Sequence, residues 1–545
     1  MLASPWARRR RLDAILDGTR EVQGRQLSLR IGLGARFPYE LPNIYVTTSE
    51  LPFLPHVDKH GWVCFVQSEG LSLRSGSPSD LVYEALDLAL STIAKGLTGE
   101  NAQDVFDELE AYWRDYVDAP LVPAHLDPDD GLREIVVAFD RVAGRPAFPY
   151  VADNFDVVSA FDSRTKRHAT EKTGVLVRLG DSALHEPLDP RRFAEAGWVR
   201  EYVRRHISDA DHTKLGRIVA RRKLWPFVVL NVPRAAGGRS LVGLHYTQVH
   251  GDHPLLGAET REPVGYVAFD RRDRIAVQAR GGAMTKMSKM KVAVVGCGSV
   301  GGHVAVNLAA AGIGALHLVD HDGLSTENIF RHVLGRSALG INKAVALRDE
   351  LHRRYPFIDV TSDPRTCDAA RAAGALDWRK FDLVVVTIGE VTTSRQLNAE
   401  LAAAETATVF TWLEPLGIGG HAVLAHVGTS PGCYECLFRD AEGAETLTST
   451  ADFAAPGQVF TRDLTGCASV FTPYGHLDAS RTAELAARVA IAALSCAVPV
   501  PTLQSWQGDT SEFTKSFRLS ERWSRPDPDP TAFAHAACSV CGGAR

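Results

Sequence analysis

The sequence predicts a multidomain α/β protein, and three stretches of it carry that expectation. Near the N-terminus RQLSLRIGL and NIYVTT alternate apolar and polar residues as half-buried antiparallel strands do, and SDLVYEALDLALSTIAKGL then repeats its apolar residues at helical spacing. In the middle, EIVVAF, TGVLVRL and WPFVVLNV read as strands separated by polar helices. Toward the C-terminus, KVAVVGCGSVGGHVAVNLAAA joins a buried strand to a helix through a glycine-rich loop. A chain of 545 residues suits about three domains. The expected division is an α+β domain over 1–120, a mixed α/β connecting domain over 121–285 and a nucleotide-binding α/β domain over 286–545.

Taken in order, the N-terminal region places its prolines between strands and offers Ser79 or Asp80 as the cap of the following helix. Cys64, in HVDKHGWVCF, sits where a strand gives way to a loop. On composition it is a small hydrophobe in a sheet core. The connector begins near HLDPDDGLREIVVAFDR, recurs in apolar runs without low-complexity sequence, and so reads as folded rather than as a flexible linker. His245, His250 and His253 lack a fourth ligand at metal spacing and read as surface or core histidines. RGGAMTKMSKM leads into the last domain.

In that domain Gly296, Gly298 and Gly301 let the backbone turn tightly and approach a phosphate at a helix N-terminus. Asp320, about 20 residues on, would hold a ribose in an NAD site as well as in an ATP site. The continuation favours ATP: Asp322, Glu327, Asn328, Arg331, His332 and Lys343 supply a guanidinium and an ammonium suited to a triphosphate. A solvated polar loop and an NAD dehydrogenase are the alternatives.

Nine cysteines with no apolar secretory leader fit a reducing, cytoplasmic setting better than a disulfide framework. Cys433 and Cys436 form one C-x-x-C, and Cys538 and Cys541 another; four thiolates in two such knuckles suit structural tetrahedral zinc. Between the pairs, Cys467 lies in the polar, glycine-containing RDLTGCASVFTPYG with Arg462 nearby, a setting that keeps a thiol accessible. Cys496, at the end of ELAARVAIAALSCAV, and Cys367 read as core, and Cys297 as a small residue filling the glycine loop. A formal net charge of −5 gives no electrostatic reason to expect nucleic acid, and no apolar run approaches transmembrane length.

The C-terminal region from about Lys291 onward resembles the ThiF and MoeB adenylyltransferases, relatives of the ubiquitin-activating enzymes. The family's Asp-x-Asp strand end, Ser-Asn-Leu-x-Arg-Gln segment and later Lys are represented here by DHD, TENIFRH and Lys343, with His332 in place of the Gln. The resemblance implies a Rossmann-like fold with structural zinc, Asp320 on ribose, and Asn328, Arg331 and Lys343 on phosphates. Where the family carries a magnesium-linked Asp this chain has VVVTIGE, so Gly389 takes that place and Glu390 is the substitute carboxylate. The resemblance also implies a homodimer, and a reactive cysteine between the zinc knuckles, which here is Cys467.

The first 115 or so residues look like a prokaryotic ubiquitin-conjugating domain: FPYELP, His56 and GWVC keep the outline of the family's Tyr-Pro-Phe, His-Pro-Asn and Gly-x-x-Cys segments. By that likeness Cys64 is a second thioester carrier. The oxyanion-supporting Asn is missing, which leaves His60 or backbone donors for that task, since a carboxylate such as Asp58 would oppose an oxyanion.

The order of the parts is similar to that of the fused ubiquitin-transfer enzymes of bacterial CBASS anti-phage operons. The implied chemistry is a relay. ATP, with Mg²⁺, converts a protein's C-terminal glycine carboxylate into an acyl-adenylate; Cys467 takes the acyl group as a thioester; Cys64 receives it by transthiolation and passes it to an amine. The donor implied by the resemblance is a cGAS/DncV-like nucleotidyltransferase, with a bacterial ubiquitin-like protein as the alternative. A non-catalytic nucleotide-binding scaffold is the reading from another class.

Overall fold

The computed structural model describes residues 12–542 apart from 68–69, 74–76, 118–120, 143–144, 187–188, 195–196, 221–223, 247–252, 257–264, 429, 464–469, 472 and 526–528. The chain divides into two compact units between Asp273 and Arg274.

The first unit opens with a three-stranded antiparallel sheet of Leu12–Val22, Arg25–Gly34 and Asn43–Val46. Gln23 and Gly24, with φ of 51° and 72°, form the two-residue turn between the first two strands. Positive φ at both turn positions matches the right-handed strand twist, which fixes this hairpin's register. The first strand carries one apolar alternation too few to be conspicuous in sequence, and it lies on the sheet edge. Helix Pro78–Thr98 packs Leu86, Ala89 and Ile93 against Leu27, Leu29, Ile44 and Val46. Its N-cap is Ser77, with Pro78 opening the first turn, so Ser79 and Asp80 lie inside the helix rather than capping it. Gly99, at φ 77°, ends it in the left-handed conformation.

The rest of this unit is built on an eight-stranded mixed sheet. Its order is Gly265–Val267, Arg239–His245, Leu224–Pro233, Glu171–Arg178, Arg133–Ala138, Val151–Ala152, Val122–His125 and Phe269–Arg271. The three connector runs seen in sequence are the strands beginning at Arg133, Glu171 and Leu224, and Leu176, Val228 and Leu230 on them are fully buried. His245 and His253 are buried side chains, held below the ordinary histidine range, at about 4, by desolvation; His250 lies outside the described residues.

Two short helices, Asp104–Asp107 and Leu109–Tyr116, join the small sheet to the large one. Phe106, Leu109 and Trp113 share a core with Val175, Val228, Val242 and Leu244 of the eight-stranded sheet. The Trp113 indole N–H donates to the Val267 carbonyl at 3.0 Å, and Glu110 pairs with Arg271 at 3.0 Å.

The second unit is a seven-stranded sheet in the order Asp359–Asp363, Ala315–Val319, Lys291–Val295, Leu383–Val386, Thr408–Leu413, Gly419–Ala425 and Thr502–Gln507. The first five run parallel, and the last two pairings are antiparallel. Strands Lys291–Val295 and Leu383–Val386 are adjacent although two strands, Ala315–Val319 and Asp359–Asp363, and their crossovers separate them in sequence, which opens a crevice at their carboxyl ends where ligands bind in such sheets. Helix His476–Ser495 packs its alanine face, including Ala483, Ala486 and Ala490, on this sheet's core. Cys496 is that helix's C-cap and is exposed, contrary to the core expectation: it falls after the last buried turn, where the chain has already left helical geometry. Among the described residues no helix is long and apolar enough to cross a membrane.

Candidate active sites: a nucleotide cavity, a four-cysteine knuckle and a thiol beside a charged clamp

The glycine loop lies at that crevice. Gly296 has φ 88°, and a Cβ on Gly301 would stand 2.0 Å from the Gly296 carbonyl oxygen and 2.4 Å from Thr387 Oγ1. Both are therefore glycine for steric reasons. Gly298, the N-cap of helix Ser299–Ala310, has open space where a Cβ would be, so its smallness serves whatever approaches the loop rather than the fold. Asp320 follows strand Ala315–Val319, and its carboxylate accepts from the N–H groups of Cys297 at 2.6 Å and Asp322 at 2.8 Å, tying strand end to loop. Lys343, the first residue of helix Lys343–Arg354, points Nζ at Asp322 Oδ2 at 3.0 Å. Gly296, Gly298, Asp320, Asp322 and Lys343 line a cavity of about 450 Å³ with His321, Arg365 and Asp368.

Gly389 and Glu390 close the far side of the same cavity. Glu390 is the N-cap of helix Val391–Ala403; its carboxylate is held down at about 2 by the Thr393 hydroxyl first, then by the N–H groups of Thr393 and Thr392. A second cavity, of about 990 Å³, shares Gly298, Thr387, Ile388 and Gly389 with the first and continues over Arg331, Trp412, Tyr434 and Asp452. The Arg331 guanidinium lies 4.7 Å over the Tyr474 ring, and among the described residues its buried Nε has no hydrogen-bond partner. An N–H donor so placed suits an anion entering the groove. Asn328 lines neither cavity; its Oδ1 accepts from the Ser325 amide and hydroxyl and caps its own turn. His332 is buried, with Nδ1 accepting from the Leu334 N–H at 3.0 Å, so Nε2 carries the proton and donates to the Cys297 carbonyl at 2.7 Å. It thus braces the glycine loop from below.

Cys433, Cys436, Cys538 and Cys541 converge although about 100 residues separate the pairs, with all four sulfurs within 4.8 Å of one another. Tetrahedral zinc with Zn–S bonds of about 2.3 Å spaces sulfurs about 3.8 Å apart. Cys433 and Cys538 are 3.7 Å apart, and Cys436 and Cys541 3.4 Å. N–H groups of Gly432 and Asn398 point at Cys541 and Cys433 sulfurs, as suits thiolates. The set fits zinc. Cys367 is half-buried on the wall of the nucleotide cavity rather than deep in the core, and burial pushes its thiol up to about 12; Cys297 is fully buried. Cys467 lies outside the described residues.

Sequence reasoning missed a buried group beside the groove. Glu414 accepts from His421 Nε2 at 2.7 Å and from the backbone of Phe453 and Ala454, while burial and the Glu414 charge raise Asp452 to about 7. Three such residues at spacings of 7 and 31 give no local pattern.

In the first unit Cys64 is partly exposed at the end of a short ladder in which Val57 pairs with Val63 and the Cys64 N–H donates to the His56 carbonyl at 2.8 Å. Gly61 (φ 84°) makes the tight return, since a Cβ there would meet the Val46 carbonyl oxygen at 1.9 Å. Asp58 accepts from the N–H groups of His60 and Trp62 and shapes the turn. His56 has φ 61°, and its N–H donates to the Tyr112 hydroxyl at 2.6 Å. Its ring lies between Asp104 (Nε2 to Oδ2, 3.0 Å) and Glu108 (Nδ1 to Oε2, 3.3 Å). Asp104, Glu108 and Tyr112 recur every fourth residue, a helical spacing that was legible in DVFDELEAY but invisible as a site without its partner.

A crevice of this form at a parallel-strand switch point, with a glycine loop, an acidic strand end and a fixed lysine, has the form of a nucleotide-binding domain. Residues 272–529 match the ThiF family, and residues 7–122 match Prokaryotic E2 family B. The chain is thus a fused enzyme, an E1-like ThiF adenylyltransferase domain and an E2-like domain in one polypeptide, of the class that carries out ATP-dependent ubiquitin-like activation and conjugation. It is 23% identical over 532 residues to the ATP-dependent ubiquitin transferase-like protein Cap2 of Pseudomonas aeruginosa, covering 92% of this chain and 90% of that protein. The adenylyltransferase and sulfurtransferase MOCS3 of Mus musculus is 33% identical over 189 residues, and the match spans only 38% of its length. Among solved structures, Escherichia coli MccB with ATP aligns over 47% of this chain and 68% of its own at 19% identity, with a TM-score of 0.33.

Proposed function

We propose that this enzyme activates the C-terminal carboxylate of a protein with ATP and hands the acyl group through Cys467 and Cys64 to an amine. The observation that carries the reading is the meeting, at Gly298 and Gly389, of the cavity lined by Asp320 and Lys343 with the groove that holds Arg331. A nucleotide in the first and a peptide tail in the second would bring carboxylate and α-phosphate together.

In this reading Gly296, Gly298 and Gly301 shape the phosphate cradle, and Asp320 keeps a lone pair on each oxygen for ribose hydroxyls. Lys343, released from Asp322, and Arg331 balance phosphate charge, while Asn328 orders the segment that carries Arg331. Magnesium would be held at the cavity rim, with Glu390 and Asp322 as its carboxylates. The carboxylate oxygen attacks the α-phosphorus and pyrophosphate leaves. The Cys467 sulfur then attacks the acyl carbon and AMP leaves; the Cys64 thiolate displaces Cys467; an amine nitrogen displaces Cys64 and gives up a proton. Zinc on Cys433, Cys436, Cys538 and Cys541 supplies structural rigidity. Residues 1–120, 121–285 and 286–545 would act as conjugating, connecting and adenylating parts.

By its likeness to the CBASS enzymes the donor is a cGAS/DncV-like nucleotidyltransferase and the setting anti-phage defence, in the cytoplasm, with the enzyme as a homodimer. A bacterial ubiquitin-like protein would enter the same groove. Purified enzyme is offered ATP, magnesium and either donor, and pyrophosphate exchange and thiol-labile adducts are followed. Exchange with adducts lost stepwise in Cys467→Ala and Cys64→Ala is expected. No exchange at any magnesium concentration would leave a nucleotide-binding scaffold instead, and normal conjugation by both variants would refute the relay.

A further inference from the structure

We propose that Asp104, Glu108 and Tyr112 are positioning residues for transfer from Cys64: by clamping His56 from helices seated on the connector sheet, they set the geometry of the segment that presents the thioester. The proposal rests on the reading of Cys64 as an acyl carrier. It assigns the connector a part in the chemistry.

The geometry is a lever with two ends. On one side of the 104–116 segment, Phe106, Leu109 and Trp113 are buried in the core of the eight-stranded sheet, so the segment's position is set by that sheet. On the other, Asp104, Glu108 and Tyr112 converge on one histidine. Tyr112 takes the His56 N–H and donates its own proton to Glu108. His56 in turn lies opposite Cys64 in the ladder and accepts its N–H, so a displacement of His56 is a displacement of the reactive residue.

Two features show that the clamp is held under constraint rather than being incidental. His56 adopts φ 61°, a left-handed conformation uncommon for a residue with a Cβ, which persists only where surroundings enforce it. Both ring nitrogens face carboxylates, so both must donate, and the ring works as a cation. Hydrogen bonding to Glu108, with Asp104 adding to it against the cost of burial, raises His56 to about 9. Burial works against ionisation of Glu108, but its bonds from His56 and Tyr112 outweigh that and lower it. Among the described residues the groups facing His56 are these two carboxylates, the Tyr112 phenol and, across the ladder, Cys64. Since the histidine value is raised in the folded protein, the charged clamp is intact below about 9 and is lost as pH rises through it.

The test uses the full-length protein and needs no donor. A synthetic diglycine thioester of mercaptoethanesulfonate loads Cys64, and mass mapping locates the adduct. Discharge to hydroxylamine is followed from pH 7 to 10 and divided at each pH by the rate for the same thioester on a free cysteine peptide. In the wild type this ratio is expected to fall as pH passes about 9. Glu108→Gln and Asp104→Asn should each bring the fall about one pH unit lower, a tenfold weaker hold on the proton, and should lower melting at pH 7 by no more than that tenfold accounts for. Two variants are used because Asp104 is the more exposed and tolerates change if Glu108→Gln unfolds. A ratio flat with pH in the wild type, or the wild-type midpoint retained in both variants, would overturn the clamp while leaving Cys64 a carrier. An adduct that never forms on Cys64, although the thiol alkylates, would overturn the carrier reading and the clamp with it.

Discussion

Replacing Gly301 by alanine separates what the glycine loop does for the fold from what it does for a ligand. An ordinary contact at a new Cβ is 3.4 Å or more, and the Gly296 carbonyl oxygen stands at 2.0 Å, an overlap of 1.4 Å. Backbone is on both sides of it: the oxygen belongs to the turn, and the helix bearing Gly301 is fixed by Val304, Ala305 and Leu308 in the core. The loop must therefore move by about an ångström. Overpacking of this kind costs about 1–3 kcal/mol, and a misplacement of about 1 Å at reacting groups costs about 100-fold in rate. Gly298→Ala is the control, because its Cβ meets nothing within 4 Å; only the approach of a phosphate is obstructed. Melting temperature and pyrophosphate exchange are measured on both. Gly301→Ala should lose on both measures, and Gly298→Ala should lose exchange while melting within about 1 kcal/mol of the wild type. If Gly301→Ala melts and exchanges normally, the steric account of the loop is wrong.

The same geometry sets three further outcomes. The purified protein should carry about one zinc per chain by atomic absorption, and Cys538→Ser should lose the metal and melt earlier; a metal-free wild type with full stability would remove zinc from the account. Glu390→Ser keeps an N-cap but shortens the carboxylate away, so it should melt like the wild type and need more magnesium for half-maximal exchange; an unchanged magnesium dependence makes Glu390 a cap alone. Asp452, raised by burial and Glu414 to about 7, costs stability as pH climbs from the ordinary carboxylate range to that value and no more beyond it. Asp452→Asn should thus raise the stability at pH 8, by up to about 4 kcal/mol for a shift of about three pH units, and hardly at pH 4; equal effects at both, read by denaturant unfolding, would refute the assignment.

The strand–loop–helix at Lys291 was readable because its signals are local: a buried run, three glycines and a helix within about twenty residues. The four-cysteine cluster was readable because each C-x-x-C is local, and two such pairs in one domain suit a shared tetrahedral site. What escaped was non-local. Cys496 continues an apolar pattern in sequence, yet the helix that ends at it has already turned its buried face away. Asn328 and Glu390 read as ligand residues in sequence, and the structure adds a role the sequence does not display: both accept hydrogen bonds from donors of their own turns. The clamp on His56 needed a helix from 48 residues away. The connector's strands were visible as apolar runs, but their order in the sheet, which decides what the 104–116 segment packs on, was not.

The segment with Phe106, Leu109 and Trp113 buried on one face and the His56 clamp on the other makes the E2-like part inseparable from the eight-stranded sheet. A fragment ending near residue 120 would present those three side chains to water as a sticky apolar stripe, and would be expected to aggregate or to let the helix drift. The thiol would still be there, with its chemistry intact and its bearings lost. On the proposed clamp, a substitution in the buried face of 104–116 would reach the thiol through the sheet that holds it, without touching the thiol's own neighbours.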